Sequence, residues 1–152
     1  MARDVCDRHF GIGADGLLIL GEPGIDMSGF GKYKSSPDAQ SRMYLINSDG
    51  SQAEMSGNGS RCFGVYAVSK GLAKESDGSV IATVETLAGT KTISVTAEQD
   101  ETFGEVNMGR VLYRASDVPV VTENTLDVSV ELLGKNRRGI AVNSGVPHWV
   151  IL

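Results

Sequence analysis

The chain has 152 residues, and what it lacks narrows its class. There is no dense run of lysine and arginine: fourteen basic residues stand against nineteen acidic ones, for a net charge of −5. Such a balance offers no electrostatic footprint for a phosphate backbone, so nucleic acid is not an expected partner. No apolar run is long enough to span a bilayer, and Met1-Ala2-Arg3-Asp4 opens no signal-peptide core. A membrane partner is therefore not expected, and the default location is cytoplasmic. Cysteine is scarce. Cys6 and Cys62 are expected as free thiols rather than a bridge. Histidine is scarcer in effect, because His9 and His148 are far apart and have no cysteine cluster beside them, so no metal site is expected. A Walker-type phosphate loop is missing. Gly11-Ile12-Gly13-Ala14-Asp15-Gly16 does match the dinucleotide fingerprint letter for letter. That fingerprint needs a strand before it and a helix after it. Here a helical stretch precedes and the strand-like Leu17-Leu18-Ile19-Leu20 follows.

What is present describes a globular chain. Hydrophobic residues make up 41%, and this length buries about two-thirds of the unfolded surface. One domain over 1–152 is expected. Residues 2–9 suit a short helix and 17–20 a buried strand. Residues 21–41 are rich in Gly, Ser, Pro and Asp and suit a long loop, of a length usually functional or mobile. Residues 42–47 form a second strand, closed by a turn at Asp49-Gly50. Residues 58–70 are apolar on several faces, which predicts a buried central helix. Lys70 and Gly71 mark its end. From Ser79 onward the period is two: 80–87, 92–96, 105–108, 126–132, 139–143 and 148–152 alternate as strands, with turns at 88–90 and 134–136. The fold class is α+β, a mostly antiparallel meander around one helix. The chain stops inside an apolar strand, which is what a fragment, a truncated gene, or a strand that pairs with another subunit would show.

The informative stretch is Ser56-Gly57-Asn58-Gly59-Ser60-Arg61-Cys62. An Asn-Gly hairpin turn is one possibility, although the helix-like pattern downstream disfavours it. The other is a glycine-rich loop opening a helix. The first N–H groups of a helix have no internal partner, and its dipole adds partial positive charge. Together they suit a small carboxylate or a phosphate. Ser56 would stand at the mouth, and Cys62, at least a turn further in, would be buried core.

Five stretches then occur in order: 8–16 (RHFGIGADG), 46–51 (INSDGS), 55–62 (MSGNGSRC), 106–109 (VNMG) and 145–148 (GVPH). Together they resemble the N-terminal half of diaminopimelate epimerase. The resemblance implies a curled sheet, a half-barrel, wrapped around a central helix. It also implies cofactor-independent epimerisation at the α-carbon of a diamino-diacid, in lysine and peptidoglycan precursor synthesis. In that family two cysteines, one from each of two similar domains, work on opposite faces of the carbon. Carried onto this chain, the Gly57 and Asn58 amides would hold the substrate carboxylate, Asn47 would bind its polar groups, and His148 would tune the catalytic thiol. Read without the family, Asn47 is a strand-end cap and His148 a half-buried strand residue.

The departures fall at the site. Ser56 occupies the position of the catalytic cysteine. A helix dipole supplies about 0.3–1 kcal/mol, up to ~2, or about 1.5 pKa units at most. That does not make an alkoxide of an alcohol at neutral pH. Val146 stands where the family has a substrate-binding asparagine. By the resemblance, the chain is expected to begin after the family's first strands and to lack its second domain. The expectation is an epimerase-like chain impaired or inactive alone, with a non-catalytic binder of a small amino-acid or other carboxylate as the alternative. The partner is then a second copy of the chain or a missing second domain.

Overall fold

The computed structural model describes residues 1–76 and 78–151. The chain resolves into two compact units, Met1–Asn107 and Met108–Leu152.

The first unit opens with a short helix α1 (Ala2–Cys6) and strand β1 (Gly16–Gly21), so GIGADG lies between a helix and a strand, opposite to the dinucleotide order. β2 (Ser41–Asn47), β3 (Gln52–Ala53), helix α2 (Gly57–Ser69), β4 (Lys74–Ser76), β5 (Ser79–Thr86), β6 (Gly89–Glu98) and β7 (Glu101–Val106) follow. The strands form one curled sheet in the order β1-β2-β5-β6-β7, with β3 added to β2 and β4 to β5. All pairings are antiparallel except β2 with β5, where Ser41 faces Val84 and Arg42 faces Glu85.

Helix α2 packs against β1, β5, β6 and β7. Met43, Ala82, Val84, Ile93 and Val95 from the sheet close around Phe63 and Ala67 from the helix. Gly64 allows that approach: a Cβ there would lie 2.4 Å from Ile93 Cγ2, inside contact distance. The helix ends as its sequence predicts. Gly71 has φ +73°, Gly71 N–H donates to Val68 O, and Leu72 N–H donates to Ala67 O, a Schellman closure. The apolar composition of α2 overstates its burial, however. Only Ser60, Phe63, Gly64 and Ala67 are buried, one stripe at helical spacing. Cys62 and Tyr66 lie outside that stripe and are exposed, which corrects the expectation of buried Cys62.

The sheet's other face is covered too. Five consecutive residues of β2, Ser41 to Leu45, are buried rather than alternating. Met43 faces the helix. Arg42 and Tyr44 face the long segment 22–40, a loop as expected, which is fastened down by side chains. Phe30 and Tyr33 pack against Tyr44 with their rings tilted and edge-on, centroids 4.7 and 5.0 Å away. The Arg42 guanidinium lies 4.8 Å from the centre of the Tyr33 ring, a favourable cation–π geometry. Arg42 and Glu85 are both fully buried. Arg42 Nε donates to Glu85 Oε2 at 2.7 Å, and Nη2 lies 2.6 Å from the same oxygen. Arg42 Nη1 donates to Ile25 O and Asp26, while Gly24 and Ser36 N–H groups donate to the two Glu85 oxygens. Burial alone would push the Glu85 carboxyl up; the Ser36 and Gly24 amides and Arg42 outweigh it and hold it below the ordinary glutamate value.

The second unit is a three-stranded antiparallel sheet, β10-β9-β8, of β8 (Val128–Leu132), β9 (Lys135–Asn143) and β10 (Pro147–Ile151). A short 3-10 turn (Ala115–Asp117) precedes it, and Leu112 bridges to Asn143. The β8–β9 turn falls at Leu133-Gly134, slightly before the predicted 134–136. Both residues have positive φ, +53° and +71°, the backbone of a two-residue hairpin. Leu152, assigned to the last strand from sequence, lies outside the described residues. Among the described residues no helix is long and apolar enough to cross a membrane.

Candidate active site

The loop at 56–59 is a helix start and not a hairpin. Ser56 is its N-cap, with extended backbone (φ −139°, ψ 121°), and its Oγ accepts from Gly59 N–H at 3.0 Å. Gly59 gives that hydroxyl room: a Cβ there would come within 3.1 Å of Ser56 Cβ and Oγ. Ser60 N–H is taken by Ser56 O at 2.8 Å. The N–H groups of Gly57 and Asn58 remain, and among the described residues neither has an acceptor. No acidic residue stands in the first turn to neutralise them. Arg61 instead donates to Asn58 Oδ1, which adds a guanidinium to the exposed side of the mouth. Unpaired N–H groups, the dipole and a nearby cation all favour an anion here.

Asn47 ends β2, and the turn 48–50 and β3 connect it to this mouth. It acts as the strand-end cap that its local sequence predicts: Asn47 N–H donates to Ser51 O at 2.8 Å, Asn47 O accepts from Gly50, and Nδ2 donates to Ser51 Oγ at 3.0 Å. The side chain is exposed, so it is also open to a ligand.

Asn47, Ser56, Gly57 and Asn58 thus belong to the first unit. His148 belongs to the second. It sits on β10 opposite Val142 and is exposed, not half-buried. With Val118, Val128, Val130, Ala141 and Trp149 it lines an apolar cavity of about 260 Å³ inside that unit. Val146 is half-buried in the turn before it. Among the described residues no cluster of three or more His, Cys, Asp or Glu could hold a metal ion.

Sequence inspection passed over Arg42, Glu85 and Gln52. A signal for the first two exists: each is the one charged residue of its strand, SRMYLIN and SVIATVET. Their pairing is across a parallel contact between distant segments, which no local pattern encodes.

A curled sheet wrapped around one helix is also the fold of a solved racemase and a solved epimerase. Two solved structures share this fold: a probable proline racemase from Agrobacterium radiobacter K84 (TM-score 0.63, 16% identity) and a hydroxyproline epimerase from Agrobacterium vitis (TM-score 0.65, 14% identity). Each alignment covers 97% of this chain and 38% and 37% of those chains. Residues 1–113 match the diaminopimelate epimerase family. The chain is 39% identical to the diaminopimelate epimerase of Alkaliphilus metalliredigens and 40% to that of Caldanaerobacter subterraneus subsp. tengcongensis, over 99% of its own length. It belongs to the diaminopimelate epimerase family. It spans about half of the relatives it matches, 48% and 50% of these two.

Proposed function

We propose that this chain is one half of an amino-acid epimerase site, holding the α-carboxylate of a diamino-diacid at the mouth of α2 but contributing little proton transfer by itself. The observation that carries this is the state of the first helical turn. Gly57 and Asn58 N–H groups have no acceptor, while the Ser56 hydroxyl accepts from Gly59 N–H. As a proton leaves the α-carbon, charge flows into the carboxylate, and N–H groups already aimed there stabilise it without reorganising. Asn47 lies at the other end of the connecting segment and supplies an amide for the substrate's polar groups. No cofactor is required, since the carboxylate and these donors share the developing charge.

The weak element is the base. A thiol with an ordinary pKa of about 8.5 is brought into range by a helix N-terminus; a hydroxyl is not, and needs a neighbouring base to act. The described hydrogen bonds give Ser56 no such base. Inversion also requires a second group on the opposite face of the carbon, which we assign to a partner, either a second copy of this chain or another polypeptide.

The test is α-proton exchange of LL-diaminopimelate in D2O, followed by NMR alongside the Gly57 and Asn58 amide signals. Saturable shifts of those two amides, with exchange at background, are expected for the wild type. Ser56→Cys is expected to raise exchange above background when mixed with the partner half. Absence of amide shifts at millimolar ligand would sink the carboxylate assignment. Exchange that depends on the Ser56 hydroxyl, and is lost in Ser56→Ala, would overturn the inactive-base assignment. Sedimentation of the chain alone and with ligand separates a second copy from a foreign partner.

A further inference from the structure

We propose that Gln52 is a positioning residue for the helix mouth, tying the strap formed by residues 22–40 to the segment that carries Ser56, Gly57 and Asn58. The inference rests on the carboxylate assignment above and adds what sets that site's geometry.

Three observations converge on Gln52. First, its amide grips the strap at two points: Oε1 accepts from Gly31 N–H at 2.8 Å, and Nε2 donates to Tyr33 Oη at 3.1 Å. Gly31 is close-fitting there, since a Cβ on it would stand 3.0 Å from Leu87 and 3.5 Å from Gln52 Oε1. Second, the strap is itself anchored. Tyr33 is buried, packed edge-on against Tyr44 and under the Arg42 guanidinium, while Glu85 and Arg42 hold Gly24, Ile25 and Ser36. Gln52 is therefore fastened to a fixed surface rather than to a swinging loop. Third, the backbone that Gln52 belongs to has few other restraints. β3 is two residues long and pairs only with Leu45 and Ile46. Beyond it, Glu54 O accepts from Ala88 N–H at 3.3 Å, Met55 is buried, and Ser56 begins the helix.

Gln52 also lies between the two groups assigned to the ligand. Asn47 and Ser51 close the turn on one side of it, and the helix mouth follows on the other. Its side chain thereby sets the spacing between the Asn47 amide and the Gly57 and Asn58 N–H groups. Sites of this kind work only when their donors are held by surroundings that are themselves packed. The chain carries a glutamine where both links can form: one acceptor for an N–H and one donor for a phenol oxygen.

Gln52→Leu removes both hydrogen bonds at similar volume. Gln52→Glu keeps them, because a carboxylate accepts from Gly31 N–H while the Tyr33 hydroxyl rotates to donate to it. Amide hydrogen exchange is read on the whole chain without ligand, and LL-diaminopimelate is then titrated against the Gly57 and Asn58 signals. Gln52→Leu is expected to speed exchange roughly tenfold at Gly59 and Ser60, whose N–H groups are bonded in the first turn. It should also weaken the probe by a similar factor. Exchange in the β5–β6 core should be unchanged, and Gln52→Glu should keep wild-type exchange at Gly59 and Ser60. Faster exchange confined to 31–33, or probe affinity equal in wild type and Gln52→Leu, would overturn the proposal while leaving the carboxylate assignment standing. Faster exchange at Gly59 and Ser60 in Gln52→Leu, together with a wild type that binds no probe, would support the positioning role and sink the carboxylate assignment instead.

Discussion

The Arg42–Glu85 pair of the first unit and the Arg138–Asp127 pair of the second differ in nearly everything except chemistry. In the first unit Arg42 and Glu85 are fully buried between two strands and under the strap. In the second, Arg138 grips Asp127 through two 2.9 Å contacts, a better fork, yet the side chains are 71% and 44% exposed. Geometry alone would rank the second pair higher. Water reverses the order. The exposed pair exchanges solvent contacts for each other at little net gain. The buried pair has given up its solvation, so each partner depends on the other. The same contrast separates the sheets. One is covered by α2 on one face and by the strap on the other. The other is a three-stranded sheet in which, among the described residues, Gly139 and Ala141 alone are buried.

The sharpest way to break this comparison is to remove one buried charge. Glu85→Ala is expected to cost about 3–5 kcal/mol, a large part of a typical domain's 5–15. It would show as a lowered denaturation midpoint and rapid amide exchange at Gly24 and Ser36. Exchange in β8–β10 should not move. A loss under about 1 kcal/mol would mean that the buried pair behaves as a surface one.

Acid offers a gentler version of the same cut. The folded-state pKa of Glu85 is depressed below its ordinary value of 4.5. Its contribution is therefore complete above about that pH, and is lost as pH falls through the lower folded value. Thermal unfolding of the first unit should become strongly pH-dependent below about 4.5, and Glu85→Gln should flatten that dependence. A pH dependence unchanged in Glu85→Gln would assign it to other carboxylates.

The smallest effect is expected at the other pair. Asp127→Asn removes a charge from Arg138 in open solvent, and the denaturation midpoint should stay within error, with or without added salt. A clear drop would show that this exposed fork is worth more than its solvation suggests.

Much of the architecture was legible before any coordinates. The end of α2 is written in Lys70 and Gly71 and the β5–β6 hairpin in its period of two, whereas the run read at 105–108 overlaps β7 only at Glu105 and Val106. The strand β2 was found, but not why it is buried throughout. Burial of Ser41 to Leu45 depends on two coverings that join it from far along the chain. The short strands β3 and β4 escaped notice because elements of two or three residues owe their form to a neighbour, not to propensity. Cys62 was misplaced because composition counts apolar residues around a helix, whereas packing selects one stripe. The site fared unevenly. Its helix mouth follows from glycine spacing and local hydrogen bonding, which are local properties. Gln52 could not be found this way, because its role exists only once the strap has been laid beside it.

The Ser56 cap carries a consequence for how such chains persist. Serine is among the best residues for that position, worth about 1 kcal/mol over alanine. An exchange of thiol for hydroxyl at this mouth therefore removes reactivity while the helix start is kept or strengthened. The fold registers no loss. Chaperones and proteases that screen for unfolding would pass a chain with serine at this cap, whatever its site does.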